Sequence, residues 1–192
     1  MELKDWLARM PSVDEARPSH CPGCGAASRP VGGPLVLYGH GCRERQVRGP
    51  LEPGGPPSVV TIRLRRYLCR ACGAVATVAP RGTVCKRLYS AAAIALALVL
   101  WAVEGMPESE VRQRVCPWAG DPYGATTGWT ALRRWARAAR EGRLFPGVRR
   151  APEGWSLRRV AERVATTLAA LAPPPSGGPL SAQAFRGAAR AG

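Results

Sequence analysis

The chain has 192 residues, enough for one domain or two small ones, and 46% of them are hydrophobic, enough for a packed core. Its formal net charge at pH 7 is +15, because 28 lysines and arginines oppose 13 aspartates and glutamates. An odd number of cysteines, seven, and an N-terminus without an apolar segment argue against a disulfide-bonded secreted protein and against a signal peptide, so we expect a cytoplasmic protein.

Residues 1–19 are predicted to form a short amphipathic helix followed by a linker. Four apolar residues recur at the spacing of one helix face: Leu3, Trp6, Leu7 and Met10. Pro11 marks the end of this helix. We expect the apolar face to pack on the segment that follows or on a second subunit.

Two copies of the pattern Cys-x-x-Cys-Gly occupy residues 21–25 and 69–73. Together they supply four thiolates, the set that a tetrahedral zinc ion binds in a structural site: Cys21, Cys24, Cys69 and Cys72. The glycine after each pair suits a tight turn, because glycine adopts positive φ without steric cost. A redox dithiol or a disulfide is the alternative, but the βαβ pattern that accompanies a thioredoxin-like motif does not occur here. We therefore predict one structural zinc site.

The other cysteines and the two histidines are weaker site candidates. His20 or His40 can replace one sulfur, which gives a site of three cysteines and one histidine. A second metal site from His40, Cys42 and Cys85 lacks the usual ligand spacing. Cys85 and Cys116 are most simply predicted to be small buried residues.

Residues 20–82 are predicted to form a β-rich zinc ribbon. We expect short strands at residues 35–38 and 43–48, a turn at residues 39–41, a Gly/Pro-rich loop at residues 51–58 and a return strand at residues 74–79. Because the core of such a small sheet is insufficient by itself, a bound metal is expected to supply the missing folding energy.

The strand predicted for residues 60–67 alternates between apolar and polar residues. One side carries Val60, Ile62 and Leu64, and the other carries Thr61, Arg63, Arg65 and Tyr67. An outer face lined by arginines can lie along a phosphate backbone, so nucleic-acid contacts are assigned to Arg63, Arg65 and Arg66. The alternative is that these arginines are merely solvated.

Residues 86–142 change from a β-rich to a helical pattern, which begins with a helix at residues 88–103. This segment is apolar almost all round, which indicates a helix buried at the centre of a helical cluster. It is also shorter than the roughly 20 residues that a membrane-spanning helix needs. We therefore expect no membrane association.

Two further helices are predicted in this region. The second begins at Pro107, with acidic residues in its first turn, and ends at Pro117. A polar connection at residues 119–125 leads to the third, which Thr126 or Thr127 can cap. Three helices with a basic third member predict a helix-turn-helix, although this connection is longer than the usual turn of about 3–4 residues.

The third helix is predicted to have one apolar and one basic face. Its inward stripe consists of Trp129, Leu132, Trp135, Ala136 and Ala139, and its basic face of Arg133, Arg134, Arg137 and Arg140. We expect these four arginines to enter or flank the major groove of DNA, as a recognition helix does. The alternative is an ordinary three-helix bundle with a solvated basic face.

The C-terminal part is predicted to contain a linker and one further helix at residues 143–172, capped by Ser156 and suited to packing or dimerisation. Residues 173–192 are rich in proline, glycine, alanine and arginine, and we expect them to be disordered. The predicted fold class is thus α+β: a small β-rich zinc ribbon, then a three-helix cluster like a helix-turn-helix, then one more helix.

The order of these motifs resembles the N-terminal DNA-binding region of insertion-sequence transposases, in which a zinc ribbon precedes a helix-turn-helix. The residues that carry the resemblance are Cys21, Pro22, Cys24, Gly25, Arg65, Arg66, Tyr67, Cys69, Cys72 and Gly73, and more loosely residues 129–140. The resemblance covers about residues 20–142, and it implies a DNA-binding protein.

The catalytic domain of those transposases has no counterpart here. Its two-metal phosphoryl transfer needs a cluster of carboxylates in a folded core, whereas the aspartates of this chain are Asp5, Asp14 and Asp121. After residue 142 there is room for one helix and a tail. We therefore expect no enzyme activity, and a stand-alone, truncated or domesticated form of the DNA-binding half.

These observations favour a zinc-dependent DNA-binding protein, transposase-related or regulatory, because nucleic acid is the commonest partner of so basic a chain. RNA suits the charge as well, and the predicted helix-turn-helix favours DNA. A homodimer and a partner recombinase stay open as further partners. The alternative is a protein-interaction module or adaptor built on a structural zinc ribbon. A zinc enzyme is disfavoured, because four thiolates close the coordination shell.

Overall fold

The computed structural model describes residues 1–118, 129–175 and 177–191. These residues form six α-helices, three β-strands and a short 3-10 helix, Ala188–Arg190, so the predicted α+β class is confirmed. In chain order the elements are α1 (Leu3–Ala8), β1 (Leu37–Gly49), β2 (Ser58–Cys69), β3 (Val75–Val78), α2 (Ala91–Ala102), α3 (Glu108–Val115), α4 (Ala131–Arg140), α5 (Leu157–Ala170) and α6 (Leu180–Gly187).

The chain divides into two compact units. Unit 1 consists of Met1–Gln46 and Thr61–Pro80, and unit 2 consists of Val47–Val60 and Arg81–Gly192. These boundaries differ from those predicted, because the N-terminal residues belong to the same unit as the four cysteines. The last residues of β1 and the first residues of β2 belong to unit 2, although they were predicted to be part of the ribbon. The boundary between the units falls within β1 and within β2. It therefore cannot be located from the strand patterns in the sequence.

The sheet has the strand order β1-β2-β3, and β2 pairs antiparallel with β3 from Arg65 opposite Val78 to Leu68 opposite Val75. The prediction of two short strands separated by a turn at residues 39–41 is wrong, because β1 is one strand of 13 residues. Gly41 has a φ of +75° within this strand. Glycine there accommodates one left-handed residue in the extended chain, and the chain does not reverse.

The polar side of β2 is partly covered by the N-terminal segment. Tyr67, predicted to lie on the outer face, is fully buried, and its hydroxyl donates a hydrogen bond to the Val13 carbonyl at 2.6 Å. Arg65 donates from Nε and Nη2 to the carbonyl of Pro11, at 3.0 and 2.8 Å. The residues predicted to be a linker therefore pack on the strand. They cover the apolar ring of the tyrosine and supply a carbonyl acceptor for its hydroxyl.

Helix α1 packs within unit 1. Of the two predicted partners, the segment that follows it and a second subunit, the structure shows the first. Its central residue Trp6 is buried, and the indole Nε1 donates to the carbonyl of Arg63 at 2.9 Å. A buried indole usually finds such an acceptor, because its N–H is costly to leave unbonded. Helix α1 is therefore held on β2 by one large side chain.

Helix α2 lies at the centre of unit 2, as its uniform apolar character predicts. It begins at Ala91, later than expected, because Ser90 caps it: the hydroxyl accepts from the amide of Ala93 at 3.0 Å. Nearly all of its side chains are buried, and α3, α4, α5 and α6 all pack against it. Within the described residues, no helix has the length and the apolar character that crossing a bilayer requires.

The inward stripe predicted for the third helix of this cluster is confirmed in α4. Leu132, Trp135, Ala136 and Ala139 are buried, and Trp129, which precedes the helix, meets Trp135 edge to face with 5.4 Å between ring centroids. The expected caps Thr126 and Thr127 and the connection at residues 119–125 lie outside the described residues. The helix-turn-helix therefore stays a prediction.

The C-terminal segment was predicted to be disordered, and the structure differs. Helix α6 packs against α5 and α2, with Ala184 and Phe185 buried. A Cβ atom on Gly187 would lie 1.8 Å from the carbonyl oxygen of Leu168, so the two backbones approach closely. Small residues let two helices pack closely through their backbones. A composition poor in large apolar side chains therefore predicts disorder for a segment that in fact packs. The further helix predicted before it is confirmed as α5, capped by Ser156.

Candidate metal centre and basic surfaces

The two Cys-x-x-Cys-Gly motifs fold into the same tight turn. In the first, the amide of Gly25 donates to the carbonyl of Cys21 at 2.9 Å, and Gly25 has a φ of +73°. In the second, the amide of Gly73 donates to the carbonyl of Cys69 at 2.8 Å, with a φ of +74°. The predicted role of the glycines is confirmed, since each occupies the left-handed conformation that other residues avoid.

The four sulfur atoms meet in one cluster. The Sγ atoms of Cys21, Cys24, Cys69 and Cys72 all lie within 4.8 Å of one another. The distances from Cys21 to Cys72 and from Cys24 to Cys69 are both 3.8 Å. In a tetrahedral thiolate site with metal–sulfur bonds of about 2.3 Å, neighbouring sulfurs are about 3.8 Å apart. The predicted set of cysteines is thus brought together and can hold a metal ion.

Electrostatics within the cluster favour a bound cation. The amides of Cys24 and Gly23 lower the pKa of Cys21 to about 7, the latter with its N–H 3.4 Å from Sγ. The amide of Ala74 lowers the pKa of Cys72, but its sulfur neighbours, Cys24 first, and burial raise it more, to about 12. Negative charge on one sulfur therefore opposes ionisation of the next. A metal cation among the sulfurs removes this opposition, because it binds thiolates.

The cluster lies between the core of unit 1 and its surface. Cys21 and Cys69 are buried together with Leu37 and Tyr67, whereas Cys24 and Cys72 are exposed. Each motif thus contributes one buried and one exposed sulfur. A metal ion bound here would link the small apolar core to both turns, and it could enter from the exposed side.

The remaining candidates are not part of this cluster. His20 is exposed, with Nδ1 3.1 Å from the hydroxyl of Ser19, and His40 is exposed in β1. Among the described residues, the four cysteines form the one group of ligating side chains placed to hold a metal. Cys116 is buried as predicted, but Cys85 is exposed, so the prediction that it is a buried residue is wrong.

The three arginines predicted for nucleic-acid contacts in β2 differ in their surroundings. Arg63 is exposed and Arg66 is half-buried. The guanidinium of Arg65 faces the N-terminal segment, where it donates to the Pro11 carbonyl, and its Nη1 is 3.7 Å from Sγ of Cys42. Arg65 therefore has a structural contact that the alternating pattern could not reveal.

The four arginines predicted for the third helix lie on α4. Arg133, Arg134 and Arg137 are exposed, and Arg140 is half-buried. Nη2 of Arg133 is 2.9 Å from Oε1 of Glu108 on α3. One of the four therefore pairs with an acidic residue of a neighbouring helix, and the basic face as a whole points away from the buried stripe.

Two arginines outside the predicted set, Arg87 and Arg143, take part in the electrostatic surroundings of α4. Burial, then the positive charge of Arg143, then that of Arg134 lower the pKa of Arg87. Arg87 precedes α2 and Arg143 follows α4, so only the folded chain brings them together. The signal that could have found them is weak, because each lies in a segment without helical or strand periodicity.

Comparison with known proteins gives no match for this chain: no family model matches it, and no curated protein and no solved structure is significantly similar.

Proposed function

We propose that this chain is a DNA-binding protein whose unit 1 is held together by one structural zinc ion. The observation that carries the proposal is the cluster of four thiols at tetrahedral spacing in a chain with a net charge of +15. The cluster supports a metal, and the charge supports a polyanionic partner.

Zinc is proposed as the metal because of the donor set and its spacing. Four thiolates in tetrahedral arrangement suit zinc or iron among the common protein metals. Zinc in such a site has a closed coordination shell, which is typical of structural sites. When bound, it would cross-link the turn at residues 21–25 to the turn at residues 69–73. The ligands would be Cys21, Cys24, Cys69 and Cys72.

A role without catalysis of its own follows from the same donor set. Catalytic zinc sites use three protein ligands and leave one position for water or substrate. Four cysteine ligands fill that position. We therefore assign binding, and no reaction, to this centre.

DNA is proposed as the partner because of the distribution of arginines. The exposed side of α4 carries Arg133, Arg134 and Arg137, and Arg63 is exposed on β2. Arginine contacts phosphates through a planar group with several donors, so it is favoured in nucleic-acid recognition. The resemblance to the DNA-binding region of transposases supports the same partner, and a transposase-related or a regulatory role fits it.

The test is to measure metal content and the salt dependence of DNA binding on the same protein. Elemental analysis should give about one zinc and no iron per chain. The dissociation constant for a labelled DNA duplex, measured by fluorescence anisotropy, should rise steeply with salt. For each phosphate that the protein neutralises, log Kd should increase by about 0.9 for every tenfold increase in salt concentration. Duplex binding that is independent of salt would exclude the proposal. Tighter binding to single-stranded RNA than to the duplex would replace DNA by RNA.

A further inference from the structure

Arg17 in unit 1 is a buried cation with unused hydrogen-bond donors. Its side chain is only 7% exposed, and its guanidinium carbon lies 6.0 Å from the centre of the buried ring of Tyr67. Within the part of the chain that the structure describes, Nε and Nη1 of Arg17 are buried without a hydrogen-bond partner. A buried guanidinium with unpaired donors is costly, so it strongly favours a nearby anion.

The carboxylate that pairs with Arg17 is shared with a second arginine. Nη2 of Arg17 is 2.8 Å from Oδ1 of Asp14, and Nη2 of Arg29 is 2.5 Å from the same oxygen. Two guanidiniums therefore converge on one point. Because a single carboxylate balances only one of them, this group of three side chains keeps an excess of positive charge.

The fold fixes the position of Arg17, whereas the point of convergence is open to solvent. The Tyr67 hydroxyl donates to the carbonyl of Val13, and the amide of Arg17 donates to the carbonyl of Asp14 at 3.3 Å. The side chains of Asp14 and Arg29 are 70% and 62% exposed. An anion from solution can therefore approach the place where the two guanidiniums meet.

A phosphate group has the chemistry that fits this place. Arginine donates to phosphate oxygens with the same planar geometry that it uses for carboxylates, so the two kinds of anion compete for it. A phosphodiester carries one negative charge and has two unesterified oxygens. It can therefore accept from both guanidiniums in place of Asp14.

We infer that Arg17 and Arg29 form a binding site for a phosphate of the DNA backbone, and that Asp14 occupies this site in the free protein. This inference rests on the proposed function, and it adds a contact in unit 1 to those predicted on β2 and α4. The Asp14 carboxylate competes with the phosphate, and it thereby weakens the binding of DNA.

The first experiment removes the exposed arginine of the site and compares it with a matched arginine. Arg9 is 66% exposed, also lies in unit 1, and pairs with the carboxylate of Glu15 at 2.8 Å. The dissociation constant of a fluorescein-labelled DNA duplex is measured for R29Q and R9Q between about 50 and 200 mM salt. The slope of log Kd against log salt should fall by about 0.9 in R29Q, which corresponds to one lost phosphate contact, and keep its wild-type value in R9Q.

The second experiment removes the competing carboxylate. D14N should bind the duplex more tightly than D5N, although each variant loses one negative charge from an exposed aspartate of unit 1. This gain should vanish in D14N/R29Q. Without DNA, D14N should melt at a lower temperature than D5N, because Arg17 loses its charged partner. Inorganic phosphate at constant ionic strength should raise the melting temperature of D14N more than that of the wild type.

Three outcomes overturn the inference and leave the proposed function intact. A wild-type slope in R29Q would mean that no DNA phosphate binds here, and stabilisation of D14N by phosphate would then assign the site to free phosphate. Equal dissociation constants for D14N and D5N would mean diffuse attraction by net charge. A D14N protein that melts early and does not respond to phosphate would make Asp14 a purely structural partner. Failure of the wild-type protein to bind DNA in a salt-dependent way would instead remove the proposed function, and this site with it.

Discussion

The two units of this protein differ in the size and make-up of their buried clusters. The buried cluster of unit 1 around the cysteines contains four residues, Cys21, Leu37, Tyr67 and Cys69, and two of these are candidate metal ligands. Unit 2 has a continuous apolar core, built from α2 and the helices that pack on it. Burial of apolar area drives the folding of unit 2, whereas under the proposed function a metal ion that cross-links two turns stabilises unit 1.

This difference indicates what each unit can tolerate. A unit with a large core loses stability gradually as side chains are trimmed, because each change removes a small part of the buried area. A unit that depends on a single ion is expected to lose its structure as a whole when the ion is lost. Three changes test this contrast, from the largest expected effect to the smallest.

The largest effect should follow from loss of a metal ligand. Cys72→Ser, or treatment with a strong chelator, should unfold unit 1, because a structural zinc ion contributes about 10–16 kcal/mol in zinc-finger peptides. That is comparable to the whole free energy of unfolding of most domains, about 5–15 kcal/mol. The helices of unit 2 should persist. Limited proteolysis followed by mass spectrometry should therefore show cleavage in unit 1 and a protected unit 2, with helical circular dichroism retained.

Cys85→Ser is the matched control, because Cys85 is also exposed and is not part of the sulfur cluster. This variant should keep its metal and its resistance to protease. If Cys72→Ser were as resistant as the wild type, or if the helical signal disappeared with the metal, the contrast between the two units would be wrong.

A smaller effect is expected from Gly187→Ala in α6. The added Cβ would be 1.8 Å from the Leu168 carbonyl oxygen, so α5 and α6 must separate. Overpacking of this kind destabilises by about 1–3 kcal/mol or more. Unit 2 should melt at a lower temperature in differential scanning calorimetry, while metal content is unchanged.

Gly154→Ala provides the comparison, since a Cβ at that position meets no atom within 4 Å and Gly154 has no positive φ. Its melting temperature should equal that of the wild type. Equal melting of both variants would show that α6 contributes nothing to unit 2, which is what the original expectation of a disordered tail implies.

The smallest effect should come from Tyr67→Phe in unit 1. The change removes the hydrogen bond from the tyrosine hydroxyl to the Val13 carbonyl and keeps the ring buried. Such a bond contributes about 0.5–1.5 kcal/mol. Chemical denaturation of the metal-loaded protein should show this loss, and amide exchange near Val13 should become faster. In Tyr38→Phe, the ring on which Arg70 stacks at 4.2 Å is kept, and the exchange near Val13 should not change.

Local sequence predicted the elements whose causes are local. Three such features depend on residues within a few positions of one another: the two turns with their glycines, the N-cap of α5 at Ser156, and the apolar character of α2. The same holds for the apolar stripe of α4. Each of these features was therefore visible as a motif or a period.

Features that depend on distant segments were missed or predicted wrongly. Tyr67 was assigned to the outer face because the period of β2 places it there, yet residues 11–17 cover that face. The C-terminal segment was expected to be disordered because its composition is poor in large apolar residues, yet α5 and α2 provide the surface on which it packs. In both cases the partner lies far away in the sequence.

By itself, the sequence determined that four cysteines in two glycine-ended turns form one possible metal site, and that the chain is strongly basic. These properties follow from residue type and short spacing. The tertiary structure alone decided that Arg65 contacts Pro11 and that Arg133 pairs with Glu108. The environment of a charge depends on segments that only folding brings together, because electrostatic interactions act through space and not along the chain.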